Sequence, residues 1–250
     1  MFLEIDVGNT RIKWRLREQQ RVIATYFSPT ASMVNIELIF AQVDLSRVSA
    51  VYIASVVPRC NDPLLDWCKT SLKLTPIFAE VVRQHAGVLN GYGEVSQMGV
   101  DRWLALLAAW QRTGDVCLVV DAGSAVTLDL LLSDGVHRGG YIVPGLQLMN
   151  SALFQNTDRV KMSNVQFSVE FNAGTSTAEA VASGLPLMLL GLIERVCSEI
   201  EAIEAGRPTI IVTGGDGEYI SAVLVSYGVR CVEFVPELVL DGLALAIESE

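Results

Sequence analysis

MFLEIDVGNTRIKWRL, running from Met1 to Leu16, is the stretch whose reading decides the fold. It reads as a strand, a tight turn and a second strand. Asp6 and Asn9 suit the turn because their side chains bond the local backbone, and Gly8 is expected at positive φ, which costs it nothing. Successive N–H groups in such a turn form an anion nest, to which Thr10 adds a hydroxyl and Lys13 a charge. That chemistry suits a polyphosphate. Asp6, leaving a buried strand, offers a hard oxygen ligand to Mg²⁺, directly or through water. Taken alone, the stretch is more simply an ordinary hairpin connection.

The stretch recurs. Val116 to Val120 is a second apolar strand, Asp121, Ala122, Gly123 and Ser124 a second turn, and Val126 to Leu132 a second extended run. Asp6 and Asp121 lie 115 positions apart in a chain of 250 residues. Two copies of strand, Asp-x-Gly-polar and strand argue for duplicated domains facing one another across a cleft. A nucleotide held there has its phosphates gripped from both sides.

With 51% hydrophobic and 18% charged residues, the chain is a globular protein with a well-stocked core. A net charge of −10 argues against nucleic acid or an anionic membrane as the main partner. The cysteines, Cys60, Cys68, Cys117, Cys197 and Cys231, are scattered and odd in number, which reads as reduced thiols of the cytoplasm rather than a zinc site or disulfide framework. The N-terminus, with Glu4 and Asp6, lacks the pattern of a signal peptide. The apolar run from Leu185 to Ile193 is too short to span a bilayer, so a soluble protein is expected.

Further along, Val22 to Phe27 reads as a third strand, Met33 to Gln42 as a helix, Ala50 to Val57 as a buried central strand, and Asn61 to Leu74 as an amphipathic helix. From His85 to Gly99 the periodicity dissolves into a long irregular segment, the usual form of a functional loop. Asp101 and Arg102 open a helix from Trp103 to Arg112 with Leu104, Leu107 and Ala108 on its core face. The boundary between halves is placed near Thr113 to Asp115. In the second half, Gly140 to Val143 is a strand and Leu146 to Phe154 a helix, followed by a polar stretch from Gln155 to Thr175. Ser176 and Glu179 form a capping box for a helix in which Pro186 implies a break after Gly184. Thr209 to Thr213 is a strand ending in Gly214 and Gly215, Arg230 to Val235 the last strand, and Glu237 to Ile247 the closing helix.

The motifs Asp6-Val-Gly-Asn-Thr10, Gly99-Val-Asp-Arg102, Asp121-Ala-Gly-Ser124, Gly139-Gly-Tyr-Ile-Val-Pro-Gly145 and Thr213-Gly-Gly215 stand in one order over nearly the whole chain. In this the chain resembles the type III pantothenate kinases, members of the acetate and sugar kinase, Hsp70 and actin superfamily. The resemblance implies an α/β fold of two duplicated actin-like (ribonuclease H-like) ATPase domains, residues 1–114 and 115–250, with mixed sheets flanked by helices and an ATP cleft between them. It implies transfer of phosphate from ATP to pantothenate, giving 4′-phosphopantothenate, the first step toward coenzyme A. The ATP turn falls on Asp6, Val7, Gly8, Asn9, Thr10, Arg11, Ile12 and Lys13, with Asp6 near Mg²⁺ and Ser124 in a nucleotide-contacting place. The pantothenate segment falls on Tyr92, Gly99, Val100, Asp101 and Arg102, with Asp101 as catalytic base. Asp121 takes the place of the monovalent-cation ligand, for K⁺ or NH₄⁺, Thr177 a place in contact with substrate, and Gly214 with Gly215 a place under the adenosine. A cytoplasmic homodimer with the pocket near the subunit contact is implied as well. Ser124 and Val100 stand where the family often has Thr and Ala, changes that remove no group the chemistry needs.

Simpler roles compete with each assignment. Asp101 suits a helix N-cap, Thr177 a first helical turn, Asp121 a turn, Tyr92 packing under a loop, and Arg102 a solvated helix charge. His85 and His137 read as surface residues, and Trp103 and Trp110 as core. Two other functions compete: an accessory transcription regulator with little catalysis, and a kinase of another sugar or small acid. The three retained aspartates and the acidic charge argue against the first, and the match from Tyr92 to Arg102 against the second.

Overall fold

Each half of the chain builds one five-stranded sheet in the computed structural model, which describes residues 1–41, 43–156, 167, 169, 172–204 and 206–247. Most of the polar stretch from Gln155 to Thr175 lies outside the described residues. The chain divides into two compact units, Met1–Ala108 with Leu238–Glu250, and Ala109–Glu237.

In the first unit, β1 (Phe2–Val7), β2 (Arg11–Glu18) and β3 (Arg21–Pro29) form an antiparallel meander, and β4 (Ala50–Ser55) and β5 (Ile77–Phe78) add in parallel, in the order β3-β2-β1-β4-β5. The parallel additions require crossovers, which α1 (Ile36–Phe40) and α2 (Asn61–Trp67) supply. Both helices are shorter than their periodicity suggests. A 3-10 stretch, Thr30–Asn35, precedes α1, and a π turn, Cys68–Leu72, replaces the end of α2. Leu3, Ile5 and Val7 of β1 meet Ile12, Trp14 and Leu16 of β2 in one core. There Phe40 stacks on Trp67 at 4.2 Å and meets the edge of Trp14 at 5.1 Å.

The opposite face of β1 and β2 is charged. Register places Asp6 beside Lys13, Glu4 beside Arg15 and Phe2 beside Arg17. Glu4, fully buried, accepts from Arg15 Nε at 2.5 Å and from Arg17 Nε at 2.7 Å. Arg15 continues to the carboxylate of Asp241 at 2.6 Å and the carbonyl of Leu240 at 2.8 Å. A buried carboxylate is tolerable only when paired and hydrogen-bonded in this way. Burial works against the charge of Arg15, and Glu4 with Asp241 more than offsets it, so its pKa is raised.

The rest of the unit consists of the small hairpin β6 (Gln84–His85) and β7 (Val88–Leu89), a 3-10 turn at Val95–Gln97, the start of α3 (Val100–Thr113) and the closing helix α7 (Leu238–Ile247). The segment from His85 to Gly99 is therefore not wholly irregular. Its hairpin turns through Ala86 at φ 47° and Gly87 at φ 86°, the left-handed pair of a type I′ turn. The unit boundary falls within α3, and α7 groups with the first unit rather than the second, both unlike the division of residues 1–114 and 115–250. The reason is packing: α7 lies along β1 and β4, and a Cβ on Gly242 would sit 1.9 Å from the carbonyl oxygen of Leu104 in α3.

The second unit repeats the plan. β8 (Cys117–Ala122), β9 (Ala125–Leu131) and β10 (His137–Pro144) form the meander, and β11 (Thr209–Thr213) and β12 (Val232–Phe234) add in parallel, in the order β10-β9-β8-β11-β12. The helices are α4 (Leu146–Asn156), α5 (Thr177–Glu201) and α6 (Gly217–Ser226). Leu118, Val120 and Ala122 face a core shared with Leu189, Leu190, Ile193, Val196 and Ile200 of α5. α5 runs unbroken through Pro186, correcting the expected break: a buried proline here costs one hydrogen bond, which packing overrides. At 25 residues α5 is long and apolar enough to cross a membrane by length and composition, unlike the shorter run considered alone. His137 is also not a surface residue. It is fully buried on β10, its Nε2 2.9 Å from Asp129 Oδ1 on β9.

Candidate active site

The first turn is built by register. Val7 pairs with Ile12, and between them the N–H of Gly8 donates to the carbonyl of Arg11 at 3.0 Å. Gly8 does not take the positive φ expected of it. It suits the turn because a Cβ would stand 3.1 Å from Arg11 O. Its N–H is spent inside the turn, so the anion-facing part narrows to the exposed tip at Asn9 and Thr10. Thr30 braces that tip, its Oγ1 donating to Gly8 O at 2.7 Å and its N–H to Thr10 O at 2.9 Å. Asp6 and Lys13 sit half-buried across from one another beneath the tip, Arg11 is exposed, and Val7 and Ile12 are core.

The start of α3 reaches the same end of the unit. Val56, after β4, donates its N–H to Val7 O at 3.2 Å, and its Cγ1 would lie 3.9 Å from a Cβ on Gly99. That Cβ would stand 2.5 Å from Asp101 Oδ1. Gly99 is thus the residue that lets the Asp101 carboxylate lie back along the chain, where it accepts from the N–H of Arg102 at 2.8 Å. Val100 and Arg102 are buried, Arg102 at 7% exposure, which removes the solvated-charge reading. Its Nη1 donates to the hydroxyl of Tyr92 at 2.7 Å, and its guanidinium lies 5.5 Å from the centre of that ring. Tyr92 is therefore joined to Arg102 rather than simply packed under a loop.

In the second unit Asp121, the penultimate residue of β8, pairs with Thr213 of β11. Gly123 donates its N–H to Ala125 O at 2.9 Å, and Gly145 donates to Ser124 O at 2.9 Å. A Cβ on Gly145 would stand 2.0 Å from Gly123 O. Gly214, at φ 92°, would place a Cβ 2.4 Å from both Asp121 Oδ1 and Ala122 O. Three glycines thus let three turns close around Asp121, with Gly215 and the start of α6 beyond. Asp121 Oδ1 and Ala122 O both crowd the place a Gly214 Cβ would take, so no side chain fits at that position. Among the described residues no cluster of three His, Cys, Asp or Glu could hold a metal. A divalent ion here would rely on one carboxylate and the phosphates of the substrate, as Mg²⁺ commonly does.

Thr177 stands exposed in the first turn of α5. Ser176 Oγ caps the helix by accepting from Glu179 N–H at 3.3 Å. The carboxylate of Glu179 reaches one residue further than a capping box requires, to Thr175 N and Oγ1, both at 2.8 Å. Those bonds hold Glu179 below the ordinary carboxylate range.

Sequence reasoning missed two features. The buried Glu4, Arg15 and Arg17 set was legible as charges at alternate positions opposite one another, once the hairpin register is known. Arg83, whose guanidinium donates to three carbonyls of the loop carrying Tyr92, has no signal beyond its place before the irregular segment.

The family model for type III pantothenate kinase matches residues 2–199. A type III pantothenate kinase from Ectopseudomonas mendocina is 36% identical over 98% of this chain and 98% of its own length. Among solved structures, a putative 2-dehydro-3-deoxygalactonokinase from Sinorhizobium meliloti superposes with TM-score 0.63 at 14% identity, covering 100% of this chain and 99% of that one. MreB 5 of Spiroplasma citri bound to AMPPNP does so with TM-score 0.57 at 11% identity, covering 99% and 96%. These two likenesses show the fold, that of the actin-like ATPases. With the fold shared at that distance and the sequence matched over its whole length, the chain belongs to the type III pantothenate kinase family.

Proposed function

We infer that this chain carries out the family's reaction, ATP-dependent phosphorylation of pantothenate to 4′-phosphopantothenate, with the residue roles that follow. The observation that carries the reading is the Asp101 carboxylate, lodged against Gly99 at the head of α3 beside the buried Arg102–Tyr92 pair. Phosphoryl transfer asks the protein mainly for positioning and charge neutralisation. The hairpin tip at Asn9 and Thr10, with Asp6, Arg11 and Lys13 around it, binds the ATP phosphates, and Ser124 contacts the nucleotide. Mg²⁺, held by Asp6 directly or through water, supplies neutralisation of the phosphate charge. Asp121 would hold K⁺ or NH₄⁺.

Tyr92, Gly99, Val100, Arg102 and Thr177 bind pantothenate. Arg102 faces its carboxylate as a planar donor fork, orienting the primary hydroxyl toward Asp101. As that hydroxyl attacks the γ-phosphorus and the bond to the bridging oxygen breaks, its proton passes to the Asp101 carboxylate. Such a transfer contributes ~10²–10⁴-fold.

The acting form is a homodimer. Leu148 and Phe154 on α4, Leu187 and Met188 on α5, and Ile142 on β10 are exposed apolar side chains that a second copy would cover. Four buried free thiols support a reducing, cytoplasmic setting. The test is a coupled assay of ATP consumption with pantothenate beside a panel of sugars and small acids, with and without K⁺. Turnover is expected with pantothenate alone, raised by K⁺ in the native chain and unaffected by it in Asp121→Ala. Turnover of a sugar in preference to pantothenate would overturn the reading.

A further inference from the structure

We infer that Arg83 is a positioning residue for the acceptor site, holding the loop from Asn90 to Gly93 in the one conformation that places Tyr92 under Arg102. The inference deepens the pantothenate kinase reading and rests on it. Arg83 immediately precedes the hairpin β6–β7, and its carbonyl accepts from the N–H of Asn90 at 2.9 Å, closing the hairpin base. Its side chain then turns onto the loop it has just closed. Nη1 donates to Asn90 O at 2.9 Å and to Tyr92 O at 2.6 Å, and Nη2 donates to Gly93 O at 2.7 Å.

Residues 90–93 belong to no helix or strand. Backbone carbonyls outside regular structure need partners from elsewhere, and here one guanidinium serves three of them. The inner side of the loop is fixed by Asn90, which is buried. Its Oδ1 accepts from Tyr92 N–H at 2.9 Å and its Nδ2 lies 3.4 Å from Met98 Sδ. Arg83 is exposed and fixes the outer side. Between them the backbone of Tyr92 is held on both faces, its N–H by Asn90 and its carbonyl by Arg83. The ring then lies 5.5 Å from the Arg102 guanidinium, with the hydroxyl 2.7 Å from Nη1. Arg83 is linked to Arg102 through Tyr92.

Each exposed hydrogen bond is individually weak, and the gain lies elsewhere. A loop ordered before the acceptor arrives does not have to be ordered by it, so pre-organisation appears as acceptor affinity. Lysine has one charged nitrogen on a flexible stem and cannot reproduce a planar fork spanning three carbonyls.

The test compares Arg83→Met, Arg83→Lys, Tyr92→Phe and the double variant Arg83→Met/Tyr92→Phe in steady-state kinetics, with pantothenate and ATP varied separately. Hydrogen exchange is followed at residues 90–93. Arg83→Met is expected to raise the pantothenate KM ~10-fold while leaving the ATP KM within about 2-fold, the pattern of lost acceptor binding rather than lost fold. Arg83→Lys should fall between Arg83→Met and the native chain. The double variant should be no worse than the more severe single one, because the Tyr92 hydroxyl is of little use on a loosened loop. Exchange at residues 90–93 should quicken in Arg83→Met. Parallel increases in both KM values, additive single effects, or unchanged exchange would each overturn the inference. If the native chain phosphorylates no pantothenate, the functional reading fails, and exchange at residues 90–93 alone then decides whether Arg83 holds the loop.

Discussion

At the scale of single residues, the site is a matter of where carboxylates are allowed to point. Asp101 was legible in the sequence as an acid at a helix start, a position that equally suits a cap. In the fold its carboxylate accepts from the N–H of the next residue, and a Cβ at position 99 would displace it. Asp101→Ala is expected to lower kcat by at least ~10²-fold with little change in the ATP KM. Gly99→Ala should lower it as well with the acid still present. Near-normal turnover in Asp101→Ala would remove it from the base role. Thiols offer a second residue-scale test. Burial pushes Cys117 up to about 12 and Cys68 and Cys197 up to about 11, while Cys231 is exposed. In the native protein at pH 8, a disulfide reagent should therefore label Cys231 alone, and all five cysteines in urea. The raised values mean that the folded thiols keep their protons when unfolded ones lose them. This contribution to stability is full below about pH 9 and is lost as pH rises toward 11 to 12.

At the scale of elements, the strands were legible and the helices less so. Alternation and apolar runs identify β1, β2, β4, β8 and β11 because a central strand buries both faces. The helical periodicity of Asn61 to Leu74 does not show that the last turn opens into a π turn, nor does Pro186 reveal that α5 continues through it. Packing partners decide both outcomes. The approach of α7 to α3 is the sharpest case. Gly242→Ala places a methyl group 1.9 Å from Leu104 O, so one helix must move. A loss of ~1–3 kcal/mol in urea unfolding is expected. Gly191→Ala in α5 is the control: nothing lies within 4 Å of its Cβ, and the helix should gain ~0.5–1 kcal/mol. Equal effects of the two changes would mean that α7 and α3 do not pack this closely.

At the scale of the whole molecule, the duplication visible in the two Asp-x-Gly turns returns as two sheets of identical strand order, each with two parallel strands added to an antiparallel meander. The proposed dimer belongs to this scale. Light scattering on the native chain is expected to return twice the chain mass. Leu187→Glu with Met188→Glu, on the exposed face of α5, should return a monomer, because two charges cannot be buried unpaired in an interface. A native monomer would refute the assembly.

By itself the sequence determined the duplicated plan, the core strands, the order of the motifs and the three aspartates at strand ends and the helix start. All of these are local patterns of one or two turns of chain. Only the tertiary structure decided that Glu4 is buried between Arg15 and Arg17, that His137 meets Asp129, that α7 joins the first unit, and that Arg83 grips the Tyr92 loop. Each of these depends on strand register or on contacts between residues distant along the chain, where burial and pairing are set by the neighbour and not by the residue's own character.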